Sequence, residues 1–473
     1  MNKKGFSSLY VMMVLSSLVF LILVLIEGAA GFAVRSRIEG ICALAGESVL
    51  SEYQPSLWER YGVFALRSSG ERLTALAGFY IGENMATEGD DILGMTQTAC
   101  RADSQEYPGL DGERFARQLR AAAAILVVED LLFQKESAAL CDSVGKALTL
   151  SDTLKKDSEQ EIREIEEAAQ SMEQGPGDGD SAGPEEEKAR LRDLLKRFRS
   201  TGEGEDAGLS WTKAVPEGSF SEDLPTKLLG LPGQRSLLLR TALPQAEALL
   251  ENEYVVEKCS CATRLLENSY LDLEVEYILF GLPSDEKNYQ ETRSSLFWLR
   301  SALNLSHIYT DTQKKSQVTA LAASALAVVP LPAAVFMIAG IWAGVESQND
   351  LELLFSGKSV PFVKEPGDWA CSLEGAVGQH ASAVSGHEPD GGAGSYRDYL
   401  RLLLLMVSPE KKRARLMDVM QLNIAGLAGE PFCFRDYAYG FTLQAEFQKK
   451  VHLPGYPASG RRRGTVCQEH VYK

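Results

Sequence analysis

The chain has 473 residues, enough for two or three domains at roughly 150 residues each. Hydrophobic residues make up 45% and charged residues 24%, proportions that exclude global disorder and collagen-like repetition. The 48 Lys and Arg against 65 Asp and Glu give a net charge of −17, which argues against general nucleic-acid binding, and eight cysteines are too few for a disulfide scaffold.

The first predicted element is a membrane anchor. Phe6 to Ile26 contains no charged residue, and a helix of that length, about 31 Å, crosses the hydrocarbon core of a bilayer. Lys3 and Lys4 precede it and Arg35 and Arg37 follow it, so the positive-inside comparison is close to a tie. We predict a cytoplasmic N-terminus and an extracytoplasmic body. A cleaved signal peptide is the alternative, disfavoured because its apolar core normally spans only about 7–15 residues.

The anchor helix is predicted to continue beyond the membrane. Apolar residues recur every three or four positions, which places them on one helix face, and Pro55 supplies a terminator. We predict one continuous helix from Phe6 to Tyr53, as in pilin-like proteins; the alternative is a kink at Gly28 or Gly31 and a separate surface helix. The apolar stripe comprises Val34, Ile38, Ile41, Ala45, Val49 and Tyr53.

The next stretch contains short elements and two linkers. A strand is predicted at Tyr61–Leu66. Helices are predicted at Arg114–Leu140, Lys155–Gln170 and Ala189–Phe198. Dense Gly, Pro and acidic residues at Ser171–Lys188 and Ser200–Gly208 indicate flexible linkers on either side of the last helix.

Two segments of the C-terminal half alternate between apolar and polar residues. Leu271–Phe280 and Tyr437–Phe447 both follow this pattern, which is typical of strands with one face on a core and one in water. We predict that they pair antiparallel. Helices are predicted at Ser295–Tyr309 and Tyr396–Val407, and a further helix is predicted to start at Ser408-Pro409-Glu410. That last helix is predicted to carry Leu416, Val419, Met420 and Ile424 inward.

Ser316–Val345 is free of charge and admits two interpretations. It resembles a second membrane span. However, Pro330 and Pro332 divide it into pieces that are short for a bilayer. A second crossing would also place the two predicted strands on opposite sides of the membrane. We therefore prefer a buried helical hairpin.

Candidate chemical motifs fail at specific residues. Gly357-Lys358-Ser359 resembles the end of a phosphate-binding loop, but position 352 is Glu352 rather than glycine. The segment from Asp178 resembles a calcium loop, but Ala182 and Ala189 replace two required ligands. We predict no catalytic, cofactor-binding or metal-binding residue. The weak metal candidate comprises His380, His387, Glu388 and Asp390, in a Gly- and Ser-rich segment.

Several blocks of the chain resemble an uncharacterised bacterial family. It is a single-pass membrane family with a domain of unknown function, associated with Tad (tight adherence) pili and type IV-like secretion systems, with an architecture like that of the TadE and TadG pseudopilins. The resemblance implies an envelope-anchored component of such a machine. The blocks are Ser51–Leu66, Leu273–Gly281, Leu299–Asp311, Gly357–Leu373, Tyr396–Met406 and Tyr439–Phe447.

The resemblance also suggests a processing site. Prepilin peptidases cut after a glycine that follows basic residues, and Lys3-Lys4-Gly5 before Phe6 has this form. The glutamate usual five places into mature pilins would fall at Tyr10, so filament incorporation is in doubt even if the anchor is kept.

The predicted fold class is α+β: a long N-terminal transmembrane helix that continues as an amphipathic helix, then a mostly helical body with an antiparallel sheet. The predicted regions are the anchor at 1–30, an N-terminal helical or α+β region at 31–170, an acidic linker at 171–210 and a C-terminal α+β domain at 211–473 with the hairpin at 316–345. The hypothesis is a non-enzymatic, membrane-anchored, extracytoplasmic assembly component without a cofactor, in contact with the bilayer and other Tad-like subunits but not with nucleic acid. The alternatives are a surface-anchored binding module and a membrane-bound hydrolase, the latter only if folding brings together residues such as His307, Asp368 and Cys371.

Overall fold

The computed structural model describes residues 3–86, 95–126, 163, 189–190, 192–194, 196–197, 211–214, 246–325, 329–378, 394–428, 432–450 and 461–472. They belong to two compact units: unit one is Met1–Leu119 with Ile424–Lys473, and unit two is Arg120–Asn423. The predicted α+β class is confirmed, since helices dominate and the sheets are antiparallel. The predicted region boundaries divide the chain differently and stay a prediction.

The helices are, in chain order, α1 (Lys3–Leu50), α2 (Pro55–Tyr61), α3 (Gly70–Ala86), α4 (Gly112–Leu126), α5 (Ala246–Lys258), α6 (Glu274–Phe280), α7 (Asp285–Thr310), α8 (Thr312–Ala325), α9 (Leu331–Phe355), α10 (Leu373–Val377), α11 (Tyr396–Leu404) and α12 (Pro409–Ala428). The strands are β1 (Leu66–Arg67), β2 (Met95–Asp103), β3 (Tyr437–Ala438), β4 (Gly440–Lys450) and β5 (Arg461–Val471). Single 3₁₀ turns occupy Pro366–Asp368 and Phe434–Asp436.

Helix α1 is continuous over 48 residues, so the predicted single helix is confirmed and the kinked alternative is wrong. Five of the six predicted stripe residues, from Val34 to Val49, are at most 6% exposed. They pack against apolar side chains of α3 and of a three-stranded antiparallel sheet in the order β2-β4-β5. The periodic stripe therefore has the partner surface that it requires.

Strand β4 confirms the alternation predicted for Tyr437–Phe447. Its inward residues Phe441, Leu443, Ala445 and Phe447 are at most 2% exposed. The strand pairs with β2 on one side and β5 on the other. The short strand β3 pairs with β1 instead.

The predicted strand at Leu271–Phe280 is wrong. Glu274–Phe280 forms helix α6, and nothing in this segment pairs with β4. Glu274 and Glu276 are both fully buried, so the polar half of the alternation does not face water. The pattern failed because partners from distant segments hold both carboxylates inside the unit.

The predicted strand at Tyr61–Leu66 is also misplaced. Tyr61 ends helix α2, whose Gly62 cap has φ +66°, and only Leu66 of the predicted segment belongs to strand β1. The αL cap satisfies the last carbonyls of the helix. A short helix followed by an extended loop thus replaces the expected strand.

Several predicted elements lie partly or wholly outside the described residues. The helix predicted at Arg114–Leu140 begins at Gly112 and is described as far as Leu126. The described positions of Lys155–Gln170 and Ala189–Phe198 are helical. Both linkers, Ser171–Lys188 and Ser200–Gly208, lie outside the described residues.

Unit two contains the remaining predicted helices. Ser295–Tyr309 lies within α7, Tyr396 starts α11, and Pro409 starts α12, whose four predicted inward residues are at most 1% exposed. Ser316–Val345 is broken between α8 and α9, which pack together around an apolar core that includes Val318, Ala322 and Ile338.

Among the described residues, two helices are long and apolar enough to cross a membrane. The most apolar 18-residue window of α1 has a mean hydropathy of 2.5, and none of it is buried within the protein. The corresponding window of α9 has a mean hydropathy of 1.2, and 72% of it is buried. The burial of α9 fits the hairpin interpretation of this segment.

Candidate functional site

The N-terminal part of α1 exposes an apolar surface. Nearly all large side chains from Tyr10 to Ile26 are exposed, between 41% and 73%. We call this stretch the exposed segment. Gly5 and Phe6, the predicted processing site, lie in the first turns of the same helix, and cleavage between them stays a prediction.

The C-terminal part of α1 is docked on the sheet by specific polar contacts. Gln468 Nε2 donates to the Glu39 carbonyl at 3.1 Å, and the Tyr472 hydroxyl donates to the Leu50 carbonyl. At the other end of the docked region, Lys449 Nζ lies 2.8 Å from Glu27 Oε1. These contacts fix the helix at both ends of its packed face.

A close approach in the middle requires glycine. A Cβ built on Gly46 would lie 2.1 Å from the ring of His470 on β5. Since such a distance is far below van der Waals contact, any other residue here forces the imidazole to move. Gly46 thus lets the strand lie close against the helix.

An aromatic stack lies near the C-terminal end of α1, made of Tyr53, Trp58, Phe64 and Tyr472. Trp58 and Phe64 stack with ring centroids 4.0 Å apart, and Phe64 stacks on Tyr472 at 5.2 Å. Tyr53 meets Phe64 edge-on at 5.0 Å. Trp58, at the outer end of the stack, is 40% exposed, so the stack presents an aromatic surface to solvent.

Unit two buries a network of four acidic and basic side chains, Arg300, Glu346, Asp350 and Lys364, which we call the ion network. The Arg300 guanidinium, 0% exposed, donates to Asp350 Oδ2 from Nε at 3.0 Å and from Nη2 at 2.8 Å. Lys364 Nζ pairs with Glu346 and lies 2.6 Å from Asp350 Oδ1. Two cations therefore balance two carboxylates.

The ion network holds an extended segment between α9 and α10. Arg300 Nη1 donates to the Pro361 carbonyl at 2.9 Å. The carboxylate of Glu346 accepts from the backbone N–H groups of Ala370 at 3.0 Å and Cys371 at 2.9 Å. Buried backbone groups that lie outside a helix or sheet need such partners. The network therefore fixes the backbone of residues 360 to 371 by hydrogen bonds.

The charges in this network support one another. Burial alone would raise the pKa of Asp350, but Arg300 and Lys364 outweigh burial and lower it. Burial would likewise lower the pKa of Arg300, and Asp350 raises it instead. Both groups are therefore ionised at neutral pH, and neither is available for proton transfer.

Glu276 differs from these carboxylates because no cation pairs with it in the described structure. Burial raises its pKa to about 7, against the lowering effects of the Tyr396 hydroxyl and the Ala262 N–H. Tyr396 donates to Oε1 at 2.6 Å and Ala262 at 3.0 Å. Glu276 is thus a fully buried carboxyl whose pKa is raised to about 7.

The residues considered for a hydrolase do come into one neighbourhood. The ring of Trp369 lies 5.5 Å from that of His307 and 5.0 Å from that of Trp342, whose Nε1 donates to the Cys371 carbonyl at 2.9 Å. However, burial and Glu346 raise the pKa of the Cys371 thiol to about 11. Reactive cysteines need a lowered pKa, so this arrangement does not activate the thiol.

Other motifs fall in structural positions. Gly357, with φ +81°, follows the end of helix α9, so Gly357-Lys358-Ser359 does not follow a strand as a phosphate loop would. The calcium-like segment and the cluster of His380, His387, Glu388 and Asp390 lie outside the described residues. Within the described part of the chain, no group of three His, Cys, Asp or Glu side chains could hold a metal ion.

The basic residues Lys411-Lys412-Arg413 of α12 face another helix. Lys412 is 3% exposed. Its Nζ donates to Asn252 Oδ1, and Arg413 Nη2 donates to Glu251 Oε1 at 2.8 Å. Helix α5 thus covers this basic face of α12.

Sequence reasoning missed both buried polar sites. A signal was present, since the sequence blocks on which the family resemblance rests contain Arg300, Lys364, Glu274 and Glu276. Charged residues inside otherwise apolar blocks indicate buried pairs, because an unpaired buried charge is costly.

The comparisons with known proteins identify a domain but no activity. No curated protein and no solved structure matches the chain. A family profile described as a family of unknown function, DUF5702, matches residues 216–449, just under half of the chain. The match contains the ion network, Glu276 and strand β4, whereas α1 lies before it. Residues 216–449 therefore carry a domain of the family of unknown function DUF5702.

Proposed function

We propose that this chain is a non-enzymatic, membrane-anchored assembly component of a Tad-like pilus or type IV-like secretion system, with the architecture of a pseudopilin. The supporting observation is α1, one 48-residue helix that is exposed and apolar at one end and docked on an antiparallel sheet at the other. The resemblance of the sequence blocks supports the choice of machine. In this proposal the N-terminus is cytoplasmic and the folded body extracytoplasmic.

The exposed segment has two roles in the proposal. Phe6–Ile26 spans the bilayer, because its length and apolar composition match the hydrocarbon core. The same side chains then pack laterally against the anchor helices of neighbouring subunits, through van der Waals contact rather than the hydrophobic effect. Tyr10 in place of the usual glutamate removes one contact that registers pilin subunits, which favours a minor or accessory position in the assembly.

The test is the mass and N-terminal sequence of the protein recovered from its native membranes. A new N-terminus at Phe6, especially an N-methylated one, supports the pseudopilin proposal. A Gly5→Leu variant is the control, since a prepilin peptidase requires the glycine and its product would keep the longer N-terminus. An intact N-terminus in the unmodified protein contradicts processing and leaves a permanently anchored accessory protein.

The aromatic stack favours a second candidate, a surface-anchored binding module. Exposed aromatic faces bind sugars and peptides by stacking, and Trp58 offers such a face. Binding of the full chain in detergent to a glycan array would test it, with Trp58→Ala expected to abolish binding. Trp298, 61% exposed on α7, is the matched control for loss of an exposed tryptophan.

A further inference from the structure

Helix α1 and strand β5 run side by side. Distances along the helix can therefore be compared with distances along the strand. Gln468 contacts α1 at Glu39, and Tyr472 contacts it at Leu50. In the other direction, Lys449 contacts Glu27, and Arg462 on β5 is the registered partner of Lys449. From Glu27 to Glu39 a helix rises about 18 Å, and from residue 462 to 468 a strand extends about 20 Å. The two lengths agree.

This alignment locates the end of the β4–β5 pair at which β4 finishes with Lys450 and β5 begins with Arg461. The end lies level with Glu27, one residue beyond the charge-free span Phe6–Ile26. When that span occupies the hydrocarbon core, the end of the β4–β5 pair is therefore at the depth of the lipid headgroups. This step rests on the proposed membrane insertion of α1.

The same end is strongly basic in a chain of net charge −17. Lys450 pairs in register with Arg461, and Gln448 pairs with Arg463. Lys450, Arg461, Arg462 and Arg463 are all exposed, and we call these four residues the basic strand end. Adjacent strands are about 4.8 Å apart, so these charges lie within one Debye length of each other.

Among the described residues, the strands place no carboxylate next to this patch. Glu27 is matched by Lys449, and β2 contributes Met95 and Thr96 at this end. The next carboxylate along β4 is Glu446, which pairs with Thr465. Four cations thus remain exposed at the depth where a bilayer carries its phosphates.

We infer that the basic strand end binds the headgroups of anionic phospholipids and so holds the folded body down on the membrane surface. Each cation near an anionic surface contributes about fivefold to membrane partitioning, and the attraction decays over a Debye length. The anchor alone would leave unit one free to tilt about the end of its span. The basic strand end supplies a second, charge-dependent attachment on the same surface.

The experiment measures the depth of the basic strand end in a reconstituted bilayer. The full chain is inserted into vesicles of phosphatidylcholine alone or of phosphatidylcholine with one third phosphatidylglycerol. A fluorophore is attached at Gly464→Cys, where an added Cβ meets no atom within 4 Å, in a background with the exposed Cys467 changed to serine. Quenching by lipids with a headgroup nitroxide reports contact, and the background without Gly464→Cys corrects for labelling elsewhere.

Phosphatidylglycerol is expected to raise headgroup quenching about twofold, and high salt is expected to reverse the increase. The double variant Arg462→Gln with Arg463→Gln, which leaves Lys450 and Arg461, should markedly reduce the dependence on lipid charge. The matched variant Arg67→Gln with Arg72→Gln, which removes two exposed cations of the same unit, should keep it. Two results would overturn the inference. One is headgroup quenching that does not change with lipid charge, and the other is an equal reduction of that quenching by both double variants.

A second probe separates this inference from the anchor on which it depends. A fluorophore at Leu18→Cys, within the exposed segment, reports quenching by nitroxides on the acyl chains. Quenching at position 18 without lipid-dependent quenching at 464 rejects the headgroup contact alone. No quenching at position 18 rejects the membrane span, and the contact with it.

Discussion

The interiors of the two units differ in the polarity of their buried side chains. In unit one the core is the apolar stripe of α1 against the apolar faces of α3 and the sheet. Its buried polar side chains, among the described residues, are Ser104, Gln118 and Lys449, and each has a hydrogen-bonding partner. In unit two, ionised and polar groups lie throughout the interior, from Glu251 and Glu276 to Arg300 and Asp350.

The difference shows where each unit is vulnerable. An apolar interface tolerates exchanges that keep its volume, so unit one depends on shape. A buried ion pair contributes little net stability compared with apolar residues of the same size, but removing one partner leaves a costly charge behind. The stability of unit two therefore depends on every buried charged group keeping its partner.

The largest effect is expected from breaking the ion network. Asp350→Ala leaves Arg300 and Lys364 buried without their shared carboxylate, and should lower the free energy of unfolding of unit two by about 3–5 kcal/mol. Hydrogen exchange measured peptide by peptide on the full chain would localise the loss. Glu352→Ala, at an exposed position of the same helix α9, should change stability by less than about 0.5 kcal/mol. Equal effects of the two variants would contradict the role of the network.

The next effect concerns pH. The pKa of Glu276 is raised from 4.5 to about 7 in the folded protein, so between these values the folded state binds the proton that the unfolded state has released. Its contribution to stability is therefore fully present below pH 4.5 and is lost as the pH rises towards 7. The loss is on the order of 3 kcal/mol at most.

The measurement compares the parent protein with Glu276→Gln by urea unfolding across this pH range. The amide keeps the hydrogen bond from Tyr396 but cannot ionise, so the variant should lose this part of the pH dependence. Asp285, whose pKa burial raises to about 6, acts in the same direction and remains in both proteins. Parallel pH profiles would show that Glu276 is ionised throughout.

A smaller effect tests the dependence of unit one on shape. Gly46→Ala places a methyl group against the His470 ring and should destabilise unit one by about 1–2 kcal/mol. Gly40→Ala lies on the same helix with nothing within 4 Å of the added Cβ, and should stabilise it by about 0.5–1 kcal/mol. Hydrogen exchange of the peptides of unit one would show the opposite signs. Stabilisation by both changes would mean that β5 does not lie close against α1.

The smallest effect is expected at an exposed ion pair on α1. Arg35 and Glu39 are 2.9 Å apart, with side chains 74% and 44% exposed. Arg35→Ala should cost no more than about 0.5 kcal/mol, since water and salt screen such pairs. The same hydrogen-exchange measurement applies. A loss of free energy of unfolding as large as that of Asp350→Ala would mean that surface and buried charges contribute alike to stability.

Unit one was the more predictable of the two from sequence. The stripe of α1 and the inward side of β4 follow the helix and strand periods because apolar side chains face the core there. In unit two, Ser408 and Pro409 marked the start of α12 in the same way, by local chemistry alone. In each case the information lies within a few neighbouring residues.

The segments of unit two that supply its buried carboxylates could not be predicted in this way. The alternation at Leu271–Phe280 predicted a strand because polar residues were assumed to face water, whereas the carboxylates of Glu274 and Glu276 bind Ser260, Asn423, Ala262 and Tyr396 inside the unit. The partners of Lys412 on α5 are equally remote in sequence. Pairings between distant residues are set by the tertiary fold and leave no period in the local pattern.

The register of α1 against β5 has a consequence for the order of synthesis. Tyr472 bonds to Leu50 across 422 residues, so the helix is made first and its sheet is made last. At about 5–20 residues per second, roughly 20–80 s separate the stripe from strand β4. Throughout that interval the part of the apolar face from Val34 to Val49 that packs on β4 and β5 is made but uncovered. A nascent chain stalled before residue 437 would therefore expose that face, making it the point at which a chaperone or the membrane surface is needed.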